Sequence, residues 1–263
     1  MSARQADLTG LVAIDLFAGM GGATEGMKRA GLRVVGATER DPDAVAAHRW
    51  WHPDVPVEQG DVADVPPEAL TGALVWASPS CKPYSTANRT PLRGERHPEH
   101  YPLDRLVRQA RDAAALIIEN VGGLAWSAEG RAELGRMEAE LAVQGRPWSL
   151  HVVRANEHGI AQVRRRVFII VGPMALLPRG IAIAGEHAIM ATEHQGQWRG
   201  RRVPHGKWHA HDRPARSVSR AAELQQVPVP PGLPDRRAMR LIGNAVPPPV
   251  AELVAGAVKA ALA

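Results

Sequence analysis

Apolar residues in this chain come in short runs separated by longer amphipathic stretches. Residues 11–17, 33–38, 73–77, 113–118, 148–154 and 167–171 each carry an apolar core of strand length. Between them, residues 23–30 place apolar positions at helical spacing, and 127–144 puts Leu134, Met137 and Leu141 on one face with Gly145 as a stop. Strands alternating with helices predict an α/β fold with a mostly parallel sheet in three layers. Beyond residue 172 the pattern changes. Pro173 and Pro178 mark an exit from the sheet, and 180–211 is rich in Gly, His and Arg, with only 181–184 and 188–190 strand-like. A proline-rich connector (227–234) leads to an amphipathic helix at 249–262, striped by Val250, Leu253, Val254, Ala257, Val258 and Leu262. The expected division is a nucleotide-type domain over 1–172, a small region over 173–235, and a C-terminal segment over 236–263 that packs back on the first.

The first strand opens into a glycine-rich turn, Asp15-Leu16-Phe17-Ala18-Gly19-Met20-Gly21-Gly22. Glycines there let the backbone turn sharply and approach a ligand. Two carboxylates refine the reading. Glu39 ends the next strand, where it can accept from ribose hydroxyls, and Asp61, beside Val62, ends the third segment, where it can meet an adenine amino group. The competing reading makes Asp41 and Asp61 helix caps. No Lys-Ser/Thr pair follows the glycines, so nothing argues a P-loop.

Three further strand ends carry chemistry. Pro79-Ser80-Cys81 follows the 73–77 run, Glu119-Asn120-Val121 follows 113–118, and Gln162, Arg164 and Arg166 precede 167–171. In open α/β sheets such ends meet in one crevice. A thiol, a carboxyl and two arginines suit nucleophilic attack on an electron-poor ring with an acid holding that ring. Singly, each has a plainer reading: a packed cysteine, a strand end meeting solvent, a solvated basic face.

Taken in order, these segments resemble the DNA cytosine-5 methyltransferases. DLFAGMGG (15–22) is similar to the family's first motif, Pro79-Ser80-Cys81 to its nucleophile motif, Glu119-Asn120-Val121 to its carboxylate motif, and Gln162-x-Arg164-x-Arg166 to its arginine motif. Residues 213–219 resemble the motif after the target-recognition region, and Gly243-Asn244-Ala245-Val246-Pro247-Pro248 the last motif. The resemblance implies a Rossmann-like class I methyltransferase fold. It also implies an S-adenosyl-L-methionine site at Asp15, Phe17, Ala18, Gly19, Gly21, Gly22, Glu39, Asp61, Val62, Asn244 and Ala245. Cys81 would attack carbon 6 of a flipped-out cytosine. Glu119, protonated or sharing a proton with ring N3, would stabilise the addition; Arg164 and Arg166 would sit near base O2, the thiol and backbone phosphates; Asn120 and Pro79 would position the loop. The sequence departs from the family's Pro-Pro-Cys-Gln followed by Phe-Ser, reading Pro79-Ser80-Cys81-Lys82-Pro83-Tyr84-Ser85, and its 171–213 region is short.

Composition narrows the partners. With 263 residues and one cysteine, the chain has no intramolecular disulfide and no thiolate metal cluster. The net charge of +5 is concentrated in 175–216, where seven Arg and Lys face three acids. There Trp198 and Trp208 interleave with Arg199, Arg201, Arg202 and Lys207, a mix suited to phosphates and base edges. Double-stranded DNA is the expected partner, with Ser85, Gln162, Trp198, Arg199, Arg201, Arg202 and Lys207 as contacts. Few side chains there can reach base edges, so the expected recognition sequence is short, about two to four base pairs. His205, His209 and His211 lack a nearby acidic or Cys ligand, so no metal is expected. Residues 1–10 carry no signal pattern and no apolar run approaches a membrane span, which predicts a monomeric cytoplasmic protein. Three other readings compete. A tRNA-methylating sister branch usually shows a Cys-Phe-Thr signature not found here. A nicotinamide oxidoreductase would leave Cys81 and Glu119 unexplained. An inactive DNA-binding relative would not need both.

Overall fold

The computed structural model describes residues 10–86, 88, 90–178, 180–189 and 216–263. Strands β1 (Val12–Leu16), β2 (Arg33–Glu39), β3 (Val57–Gln59), β4 (Leu74–Ala77), β5 (Ala115–Val121), β6 (Trp148–Arg154) and β8 (Arg165–Val171) form one sheet in the order β3-β2-β1-β4-β5-β8-β6. β3, β2, β1, β4 and β5 run parallel, and β8 is antiparallel to both β5 and β6. The order reverses between β1 and β4. That makes the crevice beyond their carboxyl ends the expected ligand position.

β5 shows why its sequence reads as an unbroken apolar run. Ala115 and Ile117 face one core and Leu116 and Ile118 the other, so both faces are covered. One core holds α1 (Gly22–Arg29) and α8 (Pro248–Leu262), with Met27, Val250, Val254 and Val258 packed over Trp76 and Phe168. The opposite core holds α3 (Leu103–Gln109) and α5 (Ala128–Gln144), with Leu106, Met137 and Leu141 packed over Val75, Ile118 and Ile169. Three layers result. A smaller cluster joins α2 (Pro42–Trp51), α6 (Val218–Gln225) and α7 (Asp235–Asn244) through Ala44, Ala222, Met239 and Ile242. Charge fastens it: Arg240 bonds both Asp41 and Asp43 at the start of α2. The short α4 (Gly123–Trp126) follows β5.

The predicted strands form, with different ends. β5 runs three residues past residue 118, so Glu119 and Asn120 belong to the strand. Ser127 caps α5 by accepting from Gly130 N at 2.9 Å, and Gly145, at φ 66°, ends it. The expectation of a strand at 181–184 fails. Glu186–His187 (β9) pairs instead with Gln162–Val163 (β7), while Ile183 N bonds the Asn156 carbonyl. Asp235–Leu262 is apolar enough by length and composition to cross a membrane, contrary to the sequence reading. Here it is α7 and α8, broken between them, with 67% of its apolar window buried in the protein.

α8 approaches α1 closely because α1 offers glycine at the contact. A Cβ on Gly26 would collide with Ala251 Cβ and lie 2.6 Å from the Pro248 carbonyl oxygen. Gly26→Ala should therefore destabilise the fold by about 1–3 kcal/mol, read as a lower urea midpoint. Gly135→Ala, in α5 with nothing within 4 Å of the added carbon, should stabilise by about 0.5–1 kcal/mol. Equal midpoints for the two variants would contradict the close α1–α8 packing.

Candidate active site

The turn after β1 uses left-handed backbone at Phe17 (φ 56°), Gly19 (φ 55°) and Gly21 (φ 100°). Phe17 bears this conformation against the cost for an aromatic residue, about 1–3 kcal/mol, with its ring edge-on to Tyr101 at 5.1 Å. Ala18 N donates to Thr38 O at 3.1 Å, and Gly21 N to Ala18 O at 3.0 Å. Glu39 fixes the rest of the turn. One oxygen accepts from Gly19 N at 2.8 Å, the other from Arg40 N and Asp41 N, each at 2.8 Å. Gly22 abuts the Val246 backbone, which brings the exposed Asn244 and buried Ala245 beside the turn. Asp61 is exposed and caps the next 3-10 turn by accepting from Ala63 N at 2.8 Å, while Val62 is buried. Asp41 likewise caps α2, so both predicted caps form.

These groups suit an adenosine. Phe17, Gly19, Glu39, Gly60 and Asp61 lie at the carboxyl ends of three adjacent parallel strands. Among the described residues, nothing lies within 4 Å of where a Cβ would stand on Gly19 or Gly60. A half-buried ring, two carboxylates and open space over a glycine backbone make a cradle of the right chemistry.

Under the turn lies a polar chain the sequence reading missed, and it takes in Asp15, expected among the cofactor contacts but fully buried and bonded to Thr24. Asp15, Thr24, His48 and His52 are all buried. Thr24 Oγ1 donates to Asp15 Oδ2 at 2.7 Å, so His48 Nε2 must be the donor in its 3.0 Å contact with Thr24. His52 Nε2 donates to the Gly21 carbonyl at 3.0 Å. Among the described residues, Asp15 Oδ1 and His48 Nδ1 have no hydrogen-bond partner. Burial pushes Asp15 up to about 7 against the bonds from Thr24, and burial pushes His48 down to about 4. The one signal was the four-residue spacing of His48 and His52 on a single helix face.

The second half of the site stands one strand away. Cys81 is half-buried, four residues past β4. Asn120, buried on β5, donates from Nδ2 to the Pro79 carbonyl at 3.1 Å and accepts from Val121 N at 2.9 Å, tying the Cys81 loop to the neighbouring strand. Arg166, opposite Val121 on β8, sets Nε 3.0 Å from Glu119 Oε1. Burial pushes the Cys81 thiol up; Arg166 and Arg164 pull it down and Glu119 pushes it further up. Ser85 is half-buried on the same loop, its carbonyl accepting from Asn88 N at 3.1 Å.

Two residues stand elsewhere than expected. Gln162, read as a DNA contact, is fully buried: Nε2 donates to Gln225 Oε1 at 2.9 Å and Leu224 O at 3.3 Å, and Oε1 accepts from Ile189 N at 3.0 Å. Strand pairing of β7 with β9 turns it inward. Arg164, read as reaching the base and phosphates, donates instead to the carbonyls of Ile189, Gly243 and Ala245 at 3.2–3.3 Å. Burial pushes it down to about 9. Trp198, Arg199, Arg201, Arg202 and Lys207, and the histidines at 205, 209 and 211, lie outside the described residues. Among the described residues, no three His, Cys, Asp or Glu side chains gather as a metal site.

The Asp15–His48 chain gives stability opposed pH dependences. A carboxyl raised on folding contributes fully below its ordinary value of 3.8 and loses that contribution as pH climbs toward 7. A histidine lowered on folding contributes fully above 6.5 and loses it as pH falls toward 4. In wild type the two slopes oppose each other between these values. Asp15→Asn should remove the first, so its stability relative to wild type should rise from pH 5 to 7 by up to about 1.4 kcal/mol per unit. Thermal melts across that range check it; a constant difference would place the Asp15 titration elsewhere.

The model for "C-5 cytosine-specific DNA methylase" matches residues 11–174. Type II methyltransferase M.AgeI of Thalassovita gelatinovora is 33% identical over 165 residues, covering 59% of this chain and 38% of the relative. Type II methyltransferase M.AquIA of Picosynechococcus is 30% identical over 175 residues, covering 60% of this chain and 70% of the relative. The match thus spans well under half of the first relative's length. In overall fold the chain is similar to a Spodoptera frugiperda DNMT2 mutant (TM-score 0.71, 12% identity, 95% of this chain and 99% of that one). It is similar also to a prophage-encoded DNA modification methyltransferase of E. coli (TM-score 0.65, 18% identity, 96% and 99%). With the motifs in family order and the family's model matched over both halves of the site, the chain belongs to the C-5 cytosine-specific DNA methylase family.

Proposed function

We propose that this chain transfers the methyl group of S-adenosylmethionine to carbon 5 of a flipped-out cytosine in double-stranded DNA. The observation that carries the reading is the meeting of Cys81, Glu119 and Arg166 at the ends of β4, β5 and β8, beside the glycine turn of β1. S-adenosylmethionine, when bound, supplies an electrophilic methyl group. Glu39 and Asp61 would meet its ribose and adenine, Phe17 its ring face, and Asn244 would reach in from the C-terminal motif.

Carbon 5 of cytosine is a weak nucleophile. Addition of the Cys81 thiolate to carbon 6 gives it enamine character. Burial disfavours that thiolate, so the Arg166 charge is needed beside it. Arg166 also orients Glu119, leaving its other oxygen for ring N3 and the exocyclic amine. Once carbon 5 carries the methyl group, its proton passes to a water or a loop residue and departure of Sγ restores the ring. Arg164 acts from behind, holding residues 243–245 in place through their carbonyls. The basic region at 175–216 is assigned to target recognition, on its charge and its tryptophans.

DNA carrying 5-fluorocytosine should trap a denaturation-resistant adduct, since fluorine cannot leave as a proton does. Cys81→Ala should abolish it while keeping cofactor affinity; an adduct surviving in that variant would sink the assignment. Glu39→Ala and Asp61→Ala should each weaken S-adenosylmethionine binding by about 1.5–3 kcal/mol. Glu39→Ala should cost more, because Gly19 N loses its acceptor as well. Calorimetry showing unchanged affinity in both would place the cofactor elsewhere.

A further inference from the structure

The nucleophile loop departs from its family at Ser80 and Lys82, the two residues flanking the thiol. Both turn to one carboxylate. Ser80 Oγ donates to Glu99 Oε2 at 2.7 Å, and Lys82 Nζ donates to Glu99 Oε1 at 2.5 Å. Arg40, whose own N is held by Glu39, brings its guanidinium 3.9 Å from Glu99 Oε2. Glu99 is held in turn: its N donates to His97 Nδ1 at 3.0 Å.

We propose that Glu99 is a positioning residue that fixes the Cys81 loop by gripping the side chains on both sides of the thiol. The proposal rests on Cys81 being the nucleophile. A proline at position 80 has no hydroxyl to donate and a glutamine at 82 carries no charge, so the two departures and Glu99 form one matched set. The clasp is one of two anchors. Asn120 holds the Pro79 carbonyl from the β5 side, and Glu99 holds Ser80 and Lys82 from the other. Arg40, whose backbone N bonds Glu39, reaches the same carboxylate with its guanidinium and so links the nucleophile loop to the end of β2.

A lone exposed ion pair contributes little. Glu99 differs in having only 29% of its side chain exposed and in accepting a hydroxyl bond besides the ammonium. Burial pushes its carboxyl up, yet the bonds from Lys82 and Ser80 bring it below its ordinary value. The clasp therefore stays charged and closed at neutral pH. It fixes the Sγ direction before DNA arrives, which lowers the ordering cost at the moment of attack.

The test measures the single-turnover rate of adduct formation on saturating 5-fluorocytosine DNA, with DNA and cofactor affinities measured separately. Glu99→Ala should slow the adduct about tenfold to a hundredfold, leaving both affinities unchanged. Glu99→Gln keeps an acceptor for Ser80 and should recover part of the rate; it also carries the test if thermal melting shows that Glu99→Ala does not fold. The paired change Ser80→Ala with Lys82→Gln should slow the reaction comparably, and adding Glu99→Ala to it should cost nothing more. Fully additive losses, or a full rate in Glu99→Ala, overturn the clasp. A full rate with tighter DNA binding and a steeper salt dependence also overturns it, by showing that Glu99 only competes with phosphate for Lys82. No adduct with wild-type protein would overturn the nucleophile reading and the clasp with it.

Discussion

Arg164 is the buried charge around which the site is assembled. It sits at the head of the antiparallel strand β8, yet its guanidinium reaches carbonyls nearly eighty residues later in the chain. A buried cation must find acceptors, because burying it unpaired costs several kcal/mol. Besides the Ile189 carbonyl, it takes those of Gly243 and Ala245 at the end of α7, where no further helical turn follows to use them. One need therefore answers another. The result is that residues 243–246 are drawn beside Gly22, and the glycine turn acquires a wall made from the far end of the sequence.

The same economy of backbone groups recurs along the sheet edge. Glu39 gathers three amide N–H groups, Asn120 holds a carbonyl across to the next strand, and Asp61 caps a turn. Each of these polar residues shapes main chain where a parallel strand ends and its ladder stops. That is why the candidate side chains cluster here. A strand end leaves unpaired peptide groups at the one edge where a ligand can also reach them.

The strands and the main helices were legible because both faces of the sheet are covered, which forces unbroken apolar runs in β4, β5 and β8. The candidates Cys81, Glu119 and Arg166 were legible because each stands at or near a strand end. What stayed hidden depends on direction rather than type. Nothing in the local sequence separates Arg164 from Arg166, two residues apart; β8 begins between them, and one turns into the protein while the other meets Glu119. Gln162 was misread for the same reason. The Asp15–Thr24–His48–His52 chain and the Ser80–Glu99–Lys82 grip join residues from different elements, so no window of sequence contains them. α6 and α7 carry apolar faces at helical spacing, with Ala221, Ala222 and Leu224 on one and Ala238, Met239, Leu241 and Ile242 on the other, that the sequence reading passed over.

The contact between α1 and α8 has a consequence for how the protein comes into being. α1 forms among the first thirty residues, but the surface that covers it is carried by residues 248–262. During synthesis, Ala23 and Met27 have no native neighbour on that side until α8 has emerged. The nascent chain must then hold an uncovered apolar flank while residues 30–247 are made, at the rate of about 5–20 residues per second. The glycines that permit the final close fit also weaken α1 as an isolated helix. α1 is thus both sticky and frayed until α8, more than two hundred residues later, seals it.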